Sequence, residues 1–351
     1  MSDALEVAAE VLGVDRVEQV AELGGSRRSV VRRVRSGART FIVKEYLQPD
    51  EMTWSREAAG LKAAAGVRAP RLIGLSADPA VVVMSDLGSG PSVADALLGS
   101  EPGLGRDQIL AWAQAIGELQ AHTADRLDVF REALADGVRT DVTVGQVENL
   151  GSTLRTLCVA NGLPWVETVP DAIQEMVAPL RTGSDLALTP SDPCPDNNLN
   201  GPDGLLLLDF EHAEIRHRAW EAAYLRVPWP SCWCAWQVPD GVSALALKAY
   251  LDAAYGSDGP PVTFEADLDA ATLLWCILSV SWFLPAALDA NSAHNADDDR
   301  MPGRWTLILA RLTLAARVSG SESVTTWAES LRAALLARWG YRALPLAPAF
   351  R

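Results

Sequence analysis

Thr189-Pro190-Ser191-Asp192-Pro193-Cys194-Pro195-Asp196-Asn197-Asn198, followed through Gly201-Pro202-Asp203-Gly204 by Leu205-Leu206-Leu207-Leu208-Asp209-Phe210-Glu211, is the stretch on which the reading of this chain turns. Its first ten residues are too rich in proline and polar side chains for helix or strand, since proline fixes φ and removes a donor. Gly-Pro-Asp-Gly is a turn. Four leucines then form a short strand ending in an acid, which puts the Asp209 carboxylate at the edge of the core, facing a cleft. Asp192 and Asn197 lie five residues apart on the loop, and Asp209 follows twelve residues later. Two oxygen donors such as Asn197 and Asp209 can hold Mg²⁺, which takes few protein ligands and completes its shell with phosphates and water. The remaining carboxylate, Asp192, can accept or orient a hydroxyl proton during phosphoryl transfer.

Working back toward the N-terminus, the chain changes character at Leu87-Gly88-Ser89-Gly90-Pro91-Ser92, a turn-rich stretch that reads as a link between residues 1–90 and 91–351. Before it lie short β-branched runs at 29–34, 40–43 and 80–84. After it, helical spacing dominates at 107–123, 143–160, 167–181, 241–255, 264–288, 301–318 and 323–339. The prediction is an α+β, bilobal chain with a small β-rich lobe before a larger helical one. Leu23-Gly24-Gly25-Ser26 precedes the first strand, and paired glycines let backbone N–H groups approach phosphate oxygens, although the same pair serves an ordinary hairpin. Lys44 stands in Phe41-Ile42-Val43-Lys44-Glu45-Tyr46 as one of only three lysines, against 27 arginines. A point-like ammonium there suits an α/β-phosphate. Glu57, on a helix predicted over 52–65, can pair with it. The strand Val81 to Leu87 runs into the link, where the backbone at Ser85 and Leu87 can hydrogen-bond an adenine ring.

Composition narrows the function classes. The 351 residues carry 45 acids against 30 bases, a formal charge of −15, which disfavours nucleic acid or an anionic membrane as partner. Residues 1–90 hold 12 of each sign, so the excess lies in residues 91–351, with 33 acids and 18 bases. Met1-Ser2-Asp3 bears an acid where an export signal bears bases, and the five cysteines form no regular framework. Both point to a cytoplasmic protein. Ala270 to Leu288 is uncharged, but Thr272, Ser279, Ser281 and Pro285 interrupt it, so it reads as a buried helix.

Taken in order, the Gly24-Gly25 loop, Lys44, Glu57, the Ser85–Leu87 hinge, Asp192, Asn197 and Asp209 resemble the aminoglycoside phosphotransferase and choline kinase-like family, over roughly residues 20 to 340. Helix 107–123, with Leu119 and His122, resembles the family helix before the substrate subdomain. The family has a loop H-G-D-x-x-x-x-N and a following strand that ends in D-F-E or D-W-E. The resemblance implies a protein-kinase-like fold, ATP or GTP with Mg²⁺, and transfer to a small-molecule hydroxyl. It implies Asp192 as catalytic residue, Asn197 and Asp209 as metal ligands, and Gly25, Ser26, Lys44, Glu57, Ser85 and Leu87 as nucleotide contacts. Pro190-Ser191 replaces the family's His-Gly. The alternative reading is therefore a non-catalytic nucleotide-binding or scaffold member, although prolines 190 and 193 can stiffen the loop by another route.

Four other signals carry less. The spacing of His212, His217, Cys232 and Cys234 does not match common zinc sites. Cys194 has no histidine near it in sequence and reads as packing. The tryptophans at 220, 229, 233 and 236 read mainly as core, with an aromatic wall for a cation as the alternative. Asp297-Asp298-Asp299 is a solvated loop or a cation collector.

Overall fold

In the computed structural model, which describes residues 3–25, 27–298 and 300–351, the chain opens with helix α1 (Ala4–Leu12). Asp3 caps it by accepting the Leu5 N–H at 3.3 Å, and Glu6 accepts the Asp3 N–H at 3.2 Å. Strands β1 (Glu18–Gly25), β2 (Ser29–Ser36) and β3 (Arg39–Tyr46) follow, then helix α2 (Thr53–Ala63) and strands β4 (Leu72–Ala77) and β5 (Ala80–Ser85). The five strands form one antiparallel sheet in the order β1-β2-β3-β5-β4.

Alternation along the strands gives this sheet two different faces. Phe41 and Val43, with Val34, Val81 and Val83, pack under Ala4, Val7 and Ala8 of α1. Tyr46, Val82 and Met84 point the other way, into the main core with Ala58, Ala59 and Leu61 of α2. Lys44 falls in phase with Tyr46. The period of two that buries Val43 under α1 therefore turns the ammonium toward α2 and the rest of the molecule.

Residues 86–92 contain no helix or strand and lead to α3 (Val93–Leu98) and α4 (Pro102–Thr123). The largely helical remainder comprises α5 (Leu127–Ala133), α6 (Val142–Glu148), α7 (Leu150–Ala160), α8 (Val169–Thr182), α9 (Ala219–Ala222), α10 (Asp240–Tyr255), α11 (Phe264–Leu288), α12 (Arg304–Ala315) and α13 (Glu322–Trp339). Two small hairpin-like pairs sit among them. β6 (Leu186–Thr189) pairs with β9 (Glu214–His217), and β7 (Asn198–Gly201) pairs with β8 (Gly204–Leu207). The architecture is bilobal α+β and protein-kinase-like.

One helix expectation needs correction. The run 143–160 is two helices rather than one, broken at Asn149, which ends α6 and starts α7. The break brings Gly151 against Pro170 at the start of α8, so close that a Cβ would lie 2.8 Å from the proline ring. Helix α11 is long and apolar enough to span a bilayer, yet most of its side chains lie inside the protein. Its Trp275 packs edge-on against Trp220 and Tyr224.

Gly60 governs how closely α2 approaches the second half of the chain. A Cβ there would stand 2.8 Å from the Ala213 Cβ and 3.0 Å from the Phe210 ring. Gly60→Val should therefore cost about 1–3 kcal/mol through overpacking, read as a lower urea midpoint with an unchanged m-value.

Candidate active site

Lys44 is the centre of the site. Its Nζ lies 2.7 Å from Glu57 Oε2, 2.7 Å from Asp209 Oδ1 and 2.9 Å from Glu211 Oε2. Both oxygens of Glu57 are engaged: Oε2 also accepts from Tyr46 Oη at 2.7 Å, and Oε1 accepts the Phe210 N–H at 3.0 Å. A single carboxylate thus ties β3 and α2 to the segment carrying Asp209. Burial opposes the Lys44 charge, but Glu57 and then Asp209 outweigh it and hold the ammonium well above its ordinary pKa. Burial likewise works against the Asp209 charge, and Lys44 overcomes it, so this carboxyl sits below its usual range.

Asp209 follows β8 with φ +60°, a left-handed conformation uncommon outside glycine. Asn197 is brought beside it because its carbonyl accepts the Leu208 N–H at 3.0 Å. The Asn197 Nδ2 donates to the Asp192 carbonyl at 2.9 Å, which leaves the amide oxygen for another partner. These are hard oxygen donors. Three carboxylates around one ammonium also leave a local negative excess, with the Arg28 guanidinium 3.1 Å from Glu211 Oε1. The donor set and its charge both fit Mg²⁺.

The Asp192 loop is braced by a polar network. Ser191, at φ +68°, donates its hydroxyl to Glu214 at 2.7 Å, and its carbonyl accepts from Tyr224 Oη at 3.1 Å. Behind it the wholly buried Arg216 bonds Glu214 at 3.1 Å and Glu221 at 2.8 Å. Burial disfavours that guanidinium charge, but Glu221 and Glu214 prevail and keep it protonated. Trp112 Nε1 donates to the Pro193 carbonyl at 2.9 Å. Tyr224 Oη also reaches Ser231 Oγ at 3.0 Å, and Ser231 donates to Asp192 Oδ1 at 2.7 Å. Burial raises the Asp192 pKa, and the Ser231 hydrogen bond only partly offsets it.

A cleft of about 660 Å³ collects Lys44, Glu57, Ser85, Leu87, Asp192, Asn197 and Asp209 among its lining residues. Such a volume lies within the range of small-molecule sites. Its hinge side is fixed by Arg33 of β2, which clasps Asp86 at 2.7 and 3.0 Å and the Gly88 carbonyl at 2.6 Å. Gly24 and Gly25 are the last residues of β1, paired with Val31 and Val30, so the glycine pair belongs to a strand rather than to the turn itself. Ser26 lies outside the described residues.

Glu211, Ser231, Arg28 and Cys232 line the same cleft and carry no role in the sequence reading. Glu211 was legible as the end of Asp-Phe-Glu, whereas the others come from distant segments with no local signature. Cys194 has a partner after all: it forms a disulfide with Cys232, with Cα atoms 5.8 Å apart. Among the described residues, the cluster able to hold a metal is Glu57–Asp209–Glu211, which contains no histidine; Cys194 and Cys232 also lie close to Asp192, but their sulfurs are joined to each other. Trp220, Trp229 and Trp236 are core, while Trp233 lines the cleft and donates to Asp196 at 2.8 Å. Asp297 accepts from the Gly303 N–H and Asp298 from the Met301 N–H, so both serve their own loop, and Asp299 lies outside the described residues.

No protein-family model matches the chain, and no curated protein matches it in sequence. Solved structures do resemble it. A candidate aminoglycoside phosphotransferase from Ralstonia eutropha superposes with a TM-score of 0.55 at 14% identity, over 95% of this chain and 98% of that one. Choline kinase from Cryptosporidium parvum gives 0.51 at 12% identity, over 91% and 93%. Plasmodium vivax ethanolamine kinase gives 0.51 at 14%, over 85% and 82%. At these identities the likeness is one of fold.

Arg216 offers a test of the brace. Arg216→Met leaves Glu214 and Glu221 buried beside each other without their shared cation, and should cost about 3–5 kcal/mol in denaturant unfolding at neutral pH.

Proposed function

We propose that the protein is an ATP-dependent phosphotransferase acting on a hydroxyl of a small, cationic molecule, an amino-alcohol or aminoglycoside-like compound. The observation that carries this reading is the meeting, in one cleft, of a buried Lys44–Glu57 pair with Asp192 and Asn197. Residues 1–90 serve as the nucleotide lobe and 91–351 as the lobe of the catalytic loop and acceptor. The Ser85 N–H is already donated to the Arg71 carbonyl, so the Ser85 carbonyl and the Leu87 N–H are the backbone groups assigned to the base. GTP is the alternative nucleotide, since both would use the hinge. Lys44 contacts the α/β-phosphates, with Glu57 fixing its direction. Gly25, the last residue of β1, and Ser26 keep the phosphate contacts that the sequence assigns them.

Asn197 and Asp209 would hold Mg²⁺, which when bound supplies charge neutralisation across the phosphates. Asp192 accepts a hydrogen bond from the acceptor hydroxyl through the oxygen not held by Ser231, aligns it for attack and takes its proton as the new O–P bond to the γ-phosphorus forms and the bond from that phosphorus to the β-phosphate oxygen breaks, with ADP as the leaving group. We place the protein in the cytoplasm, where nucleotide is abundant.

Asp192 carries two linked expectations. Asp192→Asn should lower kcat by about 10²–10⁴-fold, because an amide cannot take the proton. It should also stabilise the fold at neutral pH. The native carboxyl has a pKa raised above the unfolded value of about 3.9, so the folded state binds the proton more tightly and loses stability as pH climbs through that window. The penalty is complete above it. A higher urea midpoint at pH 7, with a difference that shrinks toward pH 3, is the expected result.

The acceptor charge follows from the field of the second lobe. With 33 acids to 18 bases over residues 91–351, cationic alcohols are drawn to the site. Across a panel of cationic, neutral and anionic alcohols, kcat/KM should favour the cations and fall as salt rises. A preference for neutral or anionic acceptors would remove this assignment.

A further inference from the structure

Cys194 and Cys232 belong to two segments that meet at Asp192. Cys194 is woven into the loop: its N–H is donated to the Asp192 carbonyl at 2.7 Å, and its carbonyl accepts the Asn197 N–H at 2.9 Å. Cys232 directly follows Ser231, the residue that holds Asp192 Oδ1 at 2.7 Å. The two sulfurs themselves lie 3.3 and 3.8 Å from that same carboxylate oxygen. Thirty-eight residues separate the cysteines, so the bond closes a long loop across the wall of the cleft.

We propose that the Cys194–Cys232 pair is a thiol–disulfide exchange site whose oxidised form tethers the Asp192 loop to the Ser231 segment and whose reduction releases it. The physical reason is steric. Two sulfurs without a bond cannot remain at bonding distance, so reduction forces Cys194 and Cys232 apart. Ser231 is carried with Cys232, and its hydrogen bond to Asp192 lengthens or breaks. Either thiol can then donate to the carboxylate, in competition with an acceptor hydroxyl.

The other cysteines do not share this chemistry. Cys158, Cys234 and Cys276 are buried, and burial pushes the Cys158 thiol up to about 11 and that of Cys276 up to about 12. Cys194 and Cys232 are also largely buried, at 5% and 4% exposure, but they lie in the wall of the cleft that a small reagent enters. In the exchange, the thiolate of a small dithiol attacks one sulfur and expels the other as a thiolate, which takes up a proton. The reagent's second thiol then attacks the reagent sulfur of the resulting mixed disulfide, displaces the protein sulfur still bonded to it, and closes the reagent's own disulfide. A small-molecule disulfide drives the reverse, losing as two thiols the two electrons' worth of oxidation that the protein pair gains. In a reducing cytosol, a bond of this kind is expected to be switched rather than permanent.

The test uses the full chain, equilibrated in mixtures of a small dithiol and its disulfide. Alkylation in denaturant followed by intact mass should show three adducts on the oxidised protein and five on the reduced one. Hydrogen exchange, read by mass spectrometry, should quicken at least about tenfold on reduction in peptides spanning 189–198 and 229–236, while α11 stays unchanged. Cys194→Ser combined with Cys232→Ser should exchange like the reduced protein in every mixture. Five adducts throughout, or exchange in these peptides indifferent to reduction, overturns the proposal. Equal acceleration in α11 also overturns it, because the bond would then be a general staple.

The effect on turnover rests on the phosphotransferase reading. On that reading kcat should fall on the order of tenfold to a hundredfold on reduction, with the midpoint seen in the adduct count, as expected for a displaced reactive group. Constant kcat while exchange responds would show that the tether does not position Asp192 for catalysis, and overturns that part of the proposal. Absence of turnover in both states, with the exchange response intact, supports the tether and removes the phosphotransferase reading instead.

Discussion

One buried ammonium holds the two halves of this protein to each other. Lys44 reaches Glu57 on α2 and both Asp209 and Glu211 on the segment after β8, while Glu57 also secures the Phe210 amide. Desolvating an ion costs several kcal/mol, so this arrangement is tenable only because every charge has partners at short range. The sheet, α2 and the cleft floor therefore have little freedom to shift independently. Gly60, one turn beyond Glu57, permits the approach by lacking a side chain where Phe210 and Ala213 pass.

A second polar assembly performs a similar task for the loop. Where the resembled family has a histidine and a glycine, this chain has Pro190 and Ser191, and the fold supplies the brace from elsewhere. Ser191 donates to Glu214, Tyr224 holds the Ser191 carbonyl, and Arg216 joins Glu214 to Glu221 behind them. Proline stiffness contributes to the loop, but these hydrogen bonds define where it sits. The same Tyr224 hydroxyl meets Ser231, so the support runs through to the Asp192 carboxylate. Two assemblies, one centred on Lys44 and one on the buried Arg216, thus fix residues that line one cleft.

Charge and burial also separate stability from chemistry within the site. Asp192 is held where its ionised form is disfavoured, whereas Asp209 is held where ionisation is favoured by Lys44. Two carboxylates of identical intrinsic acidity are thus driven apart by their surroundings, as the roles proposed for them, one handling a proton and one holding charge, require.

Local sequence determined the elements and much of the site. The runs at 29–34, 40–43 and 80–84 became β2, β3 and β5, and the 264–288 pattern became α11, because side-chain period and turn residues act over a few positions. The loop holding Asp192 and Asn197 was legible from its prolines, and Lys44 from its rarity. The break at Asn149 has no local mark, since no proline stands there; the close packing of Gly151 on Pro170 is a contact between helices. Ser231 on Asp192, Arg28 on Glu211, and the union of Cys194 with Cys232 arise between residues 38 to 183 positions apart. Sequence spacing says which groups can share a strand or a turn, but only the closing of the chain decides which distant groups must share a cavity, because that is settled by how the apolar faces of the elements pack.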